Sequence, residues 1–309
     1  MTDIVIAEFM DESAVAEHLG DFSVQYDPKL VDEPQRLLAA LTDCRALIVR
    51  NRTQVRGALL DAAPRLQVVG RLGVGLDNID MPACAARGIR VFPATGANDL
   101  AVAEYVLCAA LILLRRAWFS SAEVAAGGWP RMKLIGQELS AKQLGLIGFG
   151  AIARLTASKA LALGMRVAAY DPFVASGDAA WSGVERVELP VLLATSDVIS
   201  LHTPLTSQTR HLIDSSAITQ MKEGAIVVNA ARGGVVEEGA LLEALRSRRL
   251  GGAAIDVFEN EPLSASAGAA WRDLPNVILT PHIAGVTVES NIRVSEVIAR
   301  TVRDALNGT

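Results

Sequence analysis

LGLIGFG, residues 144–150, running on through Ala151, Ile152 and Ala153, reads as a buried strand that breaks into a glycine-rich turn and opens a helix. In the pattern G-x-G-x-x-G/A, Gly148 permits the tight turn, Gly150 lets a phosphate approach the backbone, and Ala153 is small enough for the helix to pack on its strand. Free N–H groups at the helix start then face an anion. Two glycines between a strand and a helix are common, so the next strand has to decide the reading. RVAAY at 166–170 has the pattern of that strand and ends in Asp171 and Pro172, about twenty residues after the glycines. A carboxylate in that place meets the adenosine ribose hydroxyls of a dinucleotide and repels a 2′-phosphate. Pro172, Phe173 and Val174 supply no cation to receive one. The stretch therefore predicts a dinucleotide site of the NAD kind.

Composition sets the outer bounds. With 309 residues and a hydrophobic fraction of 51%, the chain can fill two cores of ordinary size. A net charge of -5 and a pI of about 5.5 leave no basic face for nucleic acid. Cys44, Cys84 and Cys108 are odd in number and widely spaced in apolar surroundings. They read as buried free thiols, not as a disulfide or metal framework, which suits a reducing cytoplasm. MTDIVIAEF enters a strand without a basic leader, and the apolar stretch from Ala101 to Leu114 is interrupted by Glu104 and too short to span a bilayer. No metal, nucleic acid or membrane partner is expected.

Short apolar runs alternate with helical patterns from end to end, the signature of parallel sheets with crossover helices. One set of strands lies near Ile4 to Glu8, Ser23 to Tyr26, Ala46 to Val49, Leu66 to Gly70 and Ile89 to Phe92. A second set runs through Leu144, Arg166, Val184 to Val187, Val198 to Leu201, Ala225 to Asn229, Ala253 to Val257 and Val277 to Leu279. The expected fold is α/β with two doubly wound parallel-sheet domains. Residues 98–285 form a Rossmann NAD-binding domain, and residues 1–97 with 286–309 form a flavodoxin-like substrate domain. Hinges fall near Asn98 and Gly285, with a long helix from about Asp99 to Arg116 and a last one from Thr287 to Leu306.

In such folds chemistry collects beyond the carboxyl ends of the strands. Three strands of the nucleotide domain carry polar groups there. AIVVN is followed by Ala230, Ala231 and Arg232, GGAAIDVF by Glu259 and Glu261, and NVILT by Pro281 and His282. Alone, each could be a solvated surface group. Together an Arg, a Glu and a His at neighbouring strand ends point to a catalytic set.

The segments VVGRLGVGLDNID, LGLIGFGAIA, YDP, HTPLTSQTRHLI, VVNAARGGVVEE, AIDVFENEP and TPHIAG together resemble the D-isomer-specific 2-hydroxyacid dehydrogenases over essentially the whole chain. GGWPRMKLIGQELSAKQLGLIGFG and VRNRTQV look most like the 3-phosphoglycerate dehydrogenase branch of that family. The resemblance implies a catalytic trio. Arg232 would grip the substrate carboxylate, His282 would exchange the hydroxyl proton, and Glu261 would orient the imidazole. It also implies NAD contacts at Gly148, Gly150, Ala151, Ile152 and Asp171, at Thr203, Pro204 and Thr209 along the adenine side, and at Ala230 and Asp256 near the nicotinamide. Arg232 and His282 count among these contacts as well. Asp256 has a second reading, as an acid satisfied by backbone N–H groups at a strand end. The backbone of Val74 and Gly75 matches the family's anion-binding turn. The resemblance also implies a homodimer, with the helix around Ala101 to Leu114 and the Trp118 region as the interface.

Extra cations distinguish this member: Arg50 and Arg52, Arg71, and Arg131 with Lys133. One carboxylate does not need them all, so a second anion at C3 of a small 2-hydroxy or 2-oxo acid is expected, with Arg52 as its ligand. IAEFMDESAV and WPRMKLIGQEL also look like the members of the family that act on (S)-3-sulfolactate. Sulfolactate and sulfopyruvate are therefore the expected pair, with phosphoglycerate, glycerate with hydroxypyruvate, and simple 2-hydroxy acids left open. The same fold serves NAD-sensing corepressors, a function of another class that the trio does not exclude.

Overall fold

The computed structural model describes residues 2–116, 118–274 and 276–308. Met1 and Thr309, the outer ends of the expected domain ranges, lie outside them.

Short runs of two to five residues make the strands; the inner ones, such as Ile4–Ile6, Ala46–Val49, Val198–Leu201 and Ile226–Asn229, are mostly aliphatic and buried on both faces, as parallel strands under crossover helices must be, while the edge pair Glu185–Arg186 is polar and exposed. Five form the first sheet: β1 (Ile4–Ile6), β2 (Val24–Tyr26), β3 (Ala46–Val49), β4 (Val68–Arg71) and β5 (Arg90–Pro93), in the order β2-β1-β3-β4-β5. Seven form the second: β6 (Gln143–Ile147), β7 (Arg166–Tyr170), β8 (Glu185–Arg186), β9 (Val198–Leu201), β10 (Ile226–Asn229), β11 (Gly252–Ile255) and β12 (Val277–Leu279). Their order is β12-β11-β10-β9-β6-β7-β8, and all pairings are parallel. Both sheets are doubly wound. In the second, the chain reverses its direction of travel between β6 and β9, which opens a crevice at the carboxyl end of β6.

The chain divides into two compact units, Met1–Asn98 with Val286–Thr309, and Asp99–Gly285. The helix Val288–Asn307 belongs to the first. It starts at a capping box between Thr287 and Ser290 and buries Val294, Ile298 and Val302 in that unit's core. The helix Asp99–Arg115 belongs to the second. Val106, Ala110 and Leu113 on it pack with Leu144, Ala153 and Ala157, so most of its apolar surface is spent inside its own unit.

Helical spacing puts Leu100, Glu104, Cys108 and Leu111 on the opposite, outward face. Cys108 is accordingly exposed, contrary to the expectation of three buried thiols, while Cys44 and Cys84 are buried. Apolar neighbours in sequence did not distinguish the two faces of that helix. The segment after it leaves Trp118, Phe119, Trp129 and Met132 exposed. No helix among the described residues is long and apolar enough to cross a membrane.

Candidate active site

The nucleotide loop is built by strain and proximity. Gly148 adopts φ 89°, and a Cβ there would meet the His202 carbonyl oxygen at 2.6 Å, so glycine is required twice over. Its N–H donates to the Tyr170 carbonyl at 2.8 Å, which ties the end of β6 to the end of β7. Gly150 precedes the helix Ala151–Ala162, no side chain caps that helix, and a Cβ on Gly150 would have nothing within 4 Å. Ala151 and Ile152 supply the first N–H groups of that helix, which have no carbonyl partner within it. Asp171 accepts the Phe149 N–H at 2.7 Å and the Phe173 N–H at 2.8 Å. It therefore braces the loop with one lone pair of each oxygen and keeps others for a ribose.

Beyond β9, Thr203 carries a buried hydroxyl with no hydrogen-bond partner among the described residues. Buried hydroxyls are normally bonded, so this one fits a dinucleotide ligand lying along the loop. Thr209, by contrast, donates its hydroxyl to the Pro204 carbonyl at 2.6 Å and accepts the Thr206 N–H at 2.8 Å, closing the loop 204–209 upon itself. His202 bonds Ser200 Oγ through Nε2 at 3.0 Å, and burial pushes it down to about 4, so it is a neutral structural histidine.

Arg232, Glu261 and His282 sit after β10, β11 and β12, three strands adjacent in the sheet. Ala230 and Ala231 lead into Arg232, and Asn229 shapes this turn by donating to the Arg232 carbonyl at 3.0 Å and accepting the Ala231 N–H at 3.1 Å. Asn229 was not singled out in the sequence, although a polar residue closing an apolar strand was a signal for it. A Cβ on Gly233 would meet the Phe258 carbonyl oxygen at 1.8 Å, so only glycine lets the turn after β10 lie against the one after β11.

Glu261 accepts the Phe258 N–H at 3.0 Å through Oε1 and faces His282 Nδ1 at 2.8 Å through Oε2. Desolvation pushes its carboxyl up. The His282 and Phe258 hydrogen bonds and the nearby charges of His282 and Arg232 outweigh that, so Glu261 is held below the usual carboxylate range. An ionised carboxylate only accepts, so Nδ1 carries the proton and Nε2 is the atom left to exchange one. Glu259, two residues earlier, instead faces His211 at 3.2 Å.

Asp256 is 1% exposed, and its carboxylate accepts from Thr280, Ile283 and Ala284. Of its two sequence readings, the acid satisfied by neighbouring N–H groups describes this arrangement. The strand expected to reach Val257 ends at Ile255, because Asp256 turns its side chain to these donors.

In the first unit, Glu8 is buried and accepts the N–H groups of Arg50, Arg52 and Thr53 at 2.9, 3.3 and 3.0 Å, which folds the loop after β3 around one carboxylate. The Arg50 guanidinium is spent on the Phe9 carbonyl and on Asn291, each at 2.7 Å. Arg52 is exposed and pairs with Asp32, a partner the sequence did not suggest. Arg71 lies over the turn that holds Val74 and Gly75: a Cβ on Gly73 would meet its Nη1 at 1.5 Å. Val74 is exposed. Arg131 and Lys133 are in the second unit, exposed on the short 3-10 turn Arg131–Leu134.

A family model described as D-isomer specific 2-hydroxyacid dehydrogenase, NAD binding domain, matches residues 107–284. An (S)-sulfolactate dehydrogenase of Chromohalobacter salexigens is 53% identical over 307 residues, 99% of each chain. A D-3-phosphoglycerate dehydrogenase of Mycobacterium leprae is 41% identical over 99% of this chain, which spans 57% of that relative's length. Among solved structures, D-lactate dehydrogenase from Aquifex aeolicus, complexed with NAD and lactic acid, superposes with a TM-score of 0.86 at 29% identity, covering 99% of this chain and 96% of that one. The Gly148 turn, the open helix start and the unpartnered Thr203 hydroxyl suit the NAD that this domain family binds. The chain belongs to the D-isomer specific 2-hydroxyacid dehydrogenases, NAD-dependent oxidoreductases acting on the CH–OH group of a 2-hydroxy acid.

Proposed function

We propose that the chain interconverts (S)-3-sulfolactate and 3-sulfopyruvate: (S)-3-sulfolactate + NAD+ gives 3-sulfopyruvate + NADH + H+. The hydrogen bond between Glu261 and His282, in charge reach of Arg232, carries the catalytic part of this reading. The likeness to the Chromohalobacter enzyme supports the substrate. Stereochemistry agrees, because a sulfonated C3 outranks the carboxyl group and the spatial D-arrangement is then named S.

NAD, held at the loop after β6, would supply the hydride acceptor for oxidation at C2 and, as NADH, the hydride donor for reduction. His282 takes the C2 hydroxyl proton at Nε2 during oxidation and returns it during reduction. Glu261 fixes the tautomer through Nδ1 and stabilises the imidazolium that forms. Arg232 grips the substrate carboxylate and polarises the oxygen at C2. The backbone at Val74 and Gly75 is assigned to the same carboxylate, and Arg52 to the sulfonate. On the cofactor, Gly148, Gly150, Ala151 and Ile152 would hold the pyrophosphate, Asp171 the adenosine ribose, Thr203 and Pro204 the adenine side, and Ala230 the nicotinamide end, which Arg232 and His282 would also adjoin. Thr209 supports the adenine side by closing the loop 204–209, and Asp256 supports the nicotinamide end by holding the turn that carries His282.

The exposed Trp118 and Phe119, adjacent in sequence, and the exposed Met132 support a homodimer, since a monomer rarely leaves several large apolar side chains uncovered. The unpaired thiols of Cys44 and Cys84 favour the cytoplasm. D-3-phosphoglycerate is the second substrate reading, favoured by the 41% identical relative.

Turnover of NAD against sulfolactate, phosphoglycerate, glycerate and D-lactate tests the substrate. A non-anionic C3 winning by a wide margin would remove the two-anion reading. For the trio, His282→Ala should cost at least about 10³-fold in kcat while NADH still binds, as measured by fluorescence titration. Near-parental turnover in that variant would falsify the role of His282.

A further inference from the structure

His282 adopts φ 57°, a left-handed conformation that a non-glycine residue holds only where its surroundings impose it. Those surroundings are a chain of hydrogen bonds. His282 donates its N–H to the Asp256 carbonyl at 2.8 Å, and the next two N–H groups, of Ile283 and Ala284, donate to the two oxygens of the Asp256 carboxylate at 2.8 Å each. The same carboxylate accepts the Thr280 hydroxyl at 2.6 Å. Thr280 thereby spends its one proton on Asp256. The 2.6 Å contact between the Thr280 and Tyr105 hydroxyls is then donated by Tyr105. Burial pushes the Tyr105 hydroxyl up to about 12, so it remains a protonated donor at neutral pH. Tyr105 itself stands on the helix Asp99–Arg115, whose buried face is anchored in the unit's core.

We propose that Tyr105 is a positioning residue for His282, acting through Thr280 and Asp256 to lock the turn 280–284 so that Nδ1 stays on Glu261. Among the described residues, Glu261 faces the ring directly, Arg232 acts on Glu261 by charge, and Asp256 lies behind the turn. None of them sets the backbone angle of His282 except Asp256. Its carboxylate is held on the Ile283 and Ala284 N–H groups with the Thr280 hydroxyl as third donor, and that hydroxyl in turn accepts from Tyr105. The inference deepens the acid-base role proposed for His282 and rests on it for its catalytic consequence.

Tyr105→Phe keeps the ring and removes only the hydroxyl, Thr280→Val breaks the next link, and Thr280→Ser retains it. In the first two, kcat should fall about 5- to 10-fold, the worth of one hydrogen bond, with KM for NADH and for the oxo acid unchanged. Thr280→Ser should restore the parental kcat. In the free protein, amide hydrogen exchange at Ile283 and Ala284 should accelerate by a similar factor in Tyr105→Phe. Parental kcat, or exchange of those two amides within about twofold of the parent, overturns the proposal, and Tyr105→Phe alone decides it if Thr280→Val does not fold. The exchange measurement needs neither cofactor nor substrate. It therefore tests the relay even if His282→Ala retains turnover, the separate outcome that removes the catalytic role.

Discussion

Replacing His202 by Gln should make the second unit less sensitive to acid, even though the residue lies outside the catalytic trio. Burial holds His202 at about 4 in the folded chain, against an ordinary 6.5 when unfolded. As pH falls through that window the unfolded chain takes up a proton that the folded chain refuses. Stability is therefore whole above 6.5 and is lost between 6.5 and 4. The gap is worth about 3 kcal/mol in full and about 2 kcal/mol at pH 5. Gln keeps a polar end within reach of Ser200 Oγ but does not titrate, so this loss should vanish from the variant. Trp118, Trp129, Trp181 and Trp271 all lie in the second unit, so urea unfolding followed by tryptophan fluorescence reads that unit directly. Any fixed cost of the substitution displaces the whole stability curve without changing its slope. Asp197 and Glu261, both held below the usual carboxylate range, lose their contributions further into acid in parent and variant alike. The difference between the two proteins should consequently narrow by about 2 kcal/mol from pH 7.5 to 5. Parallel stability curves over that range would refute the argument from burial.

Gly148→Ala should weaken NADH binding by at least about tenfold, because the left-handed backbone and the 2.6 Å approach to the His202 carbonyl force the loop to move. Fluorescence titration of NADH measures it, and parental affinity would mean that the loop is not where the pyrophosphate binds. Arg52→Ala should lower kcat/KM for sulfolactate by about 10- to 100-fold, the worth of a charge-assisted hydrogen bond, and leave D-lactate nearly unchanged. Because the Arg52–Asp32 pair is exposed, the melting temperature should barely move. Equal losses on both substrates would count against a C3 anion contact.

The strand at 144–147, the glycines after it and the acid at Asp171 were legible because each obeys a short-range rule: β-branched and apolar runs extend, Gly148 turns, and strand ends carry polar groups. The strands of both sheets could be placed from such rules, and their ends lie within a residue or two of the expected ones. The outward position of Cys108 needed only the phase of one helix, which a run of apolar residues on every side had obscured. Side-chain partners were another matter. Arg52 and Asp32 are 20 positions apart, and Tyr105 and Thr280 are 175 apart. No spacing along the chain announces such pairs. The sequence by itself determined the doubly wound fold, the nucleotide loop and the polar residues at three strand ends. Only the tertiary structure decided that Asp256 serves the turn beneath His282, that Thr209 closes its own loop, and that Arg52 leans on Asp32. A hydrogen bond depends on which strand ends the sheet order makes neighbours, and that order is set by the packing of the whole unit.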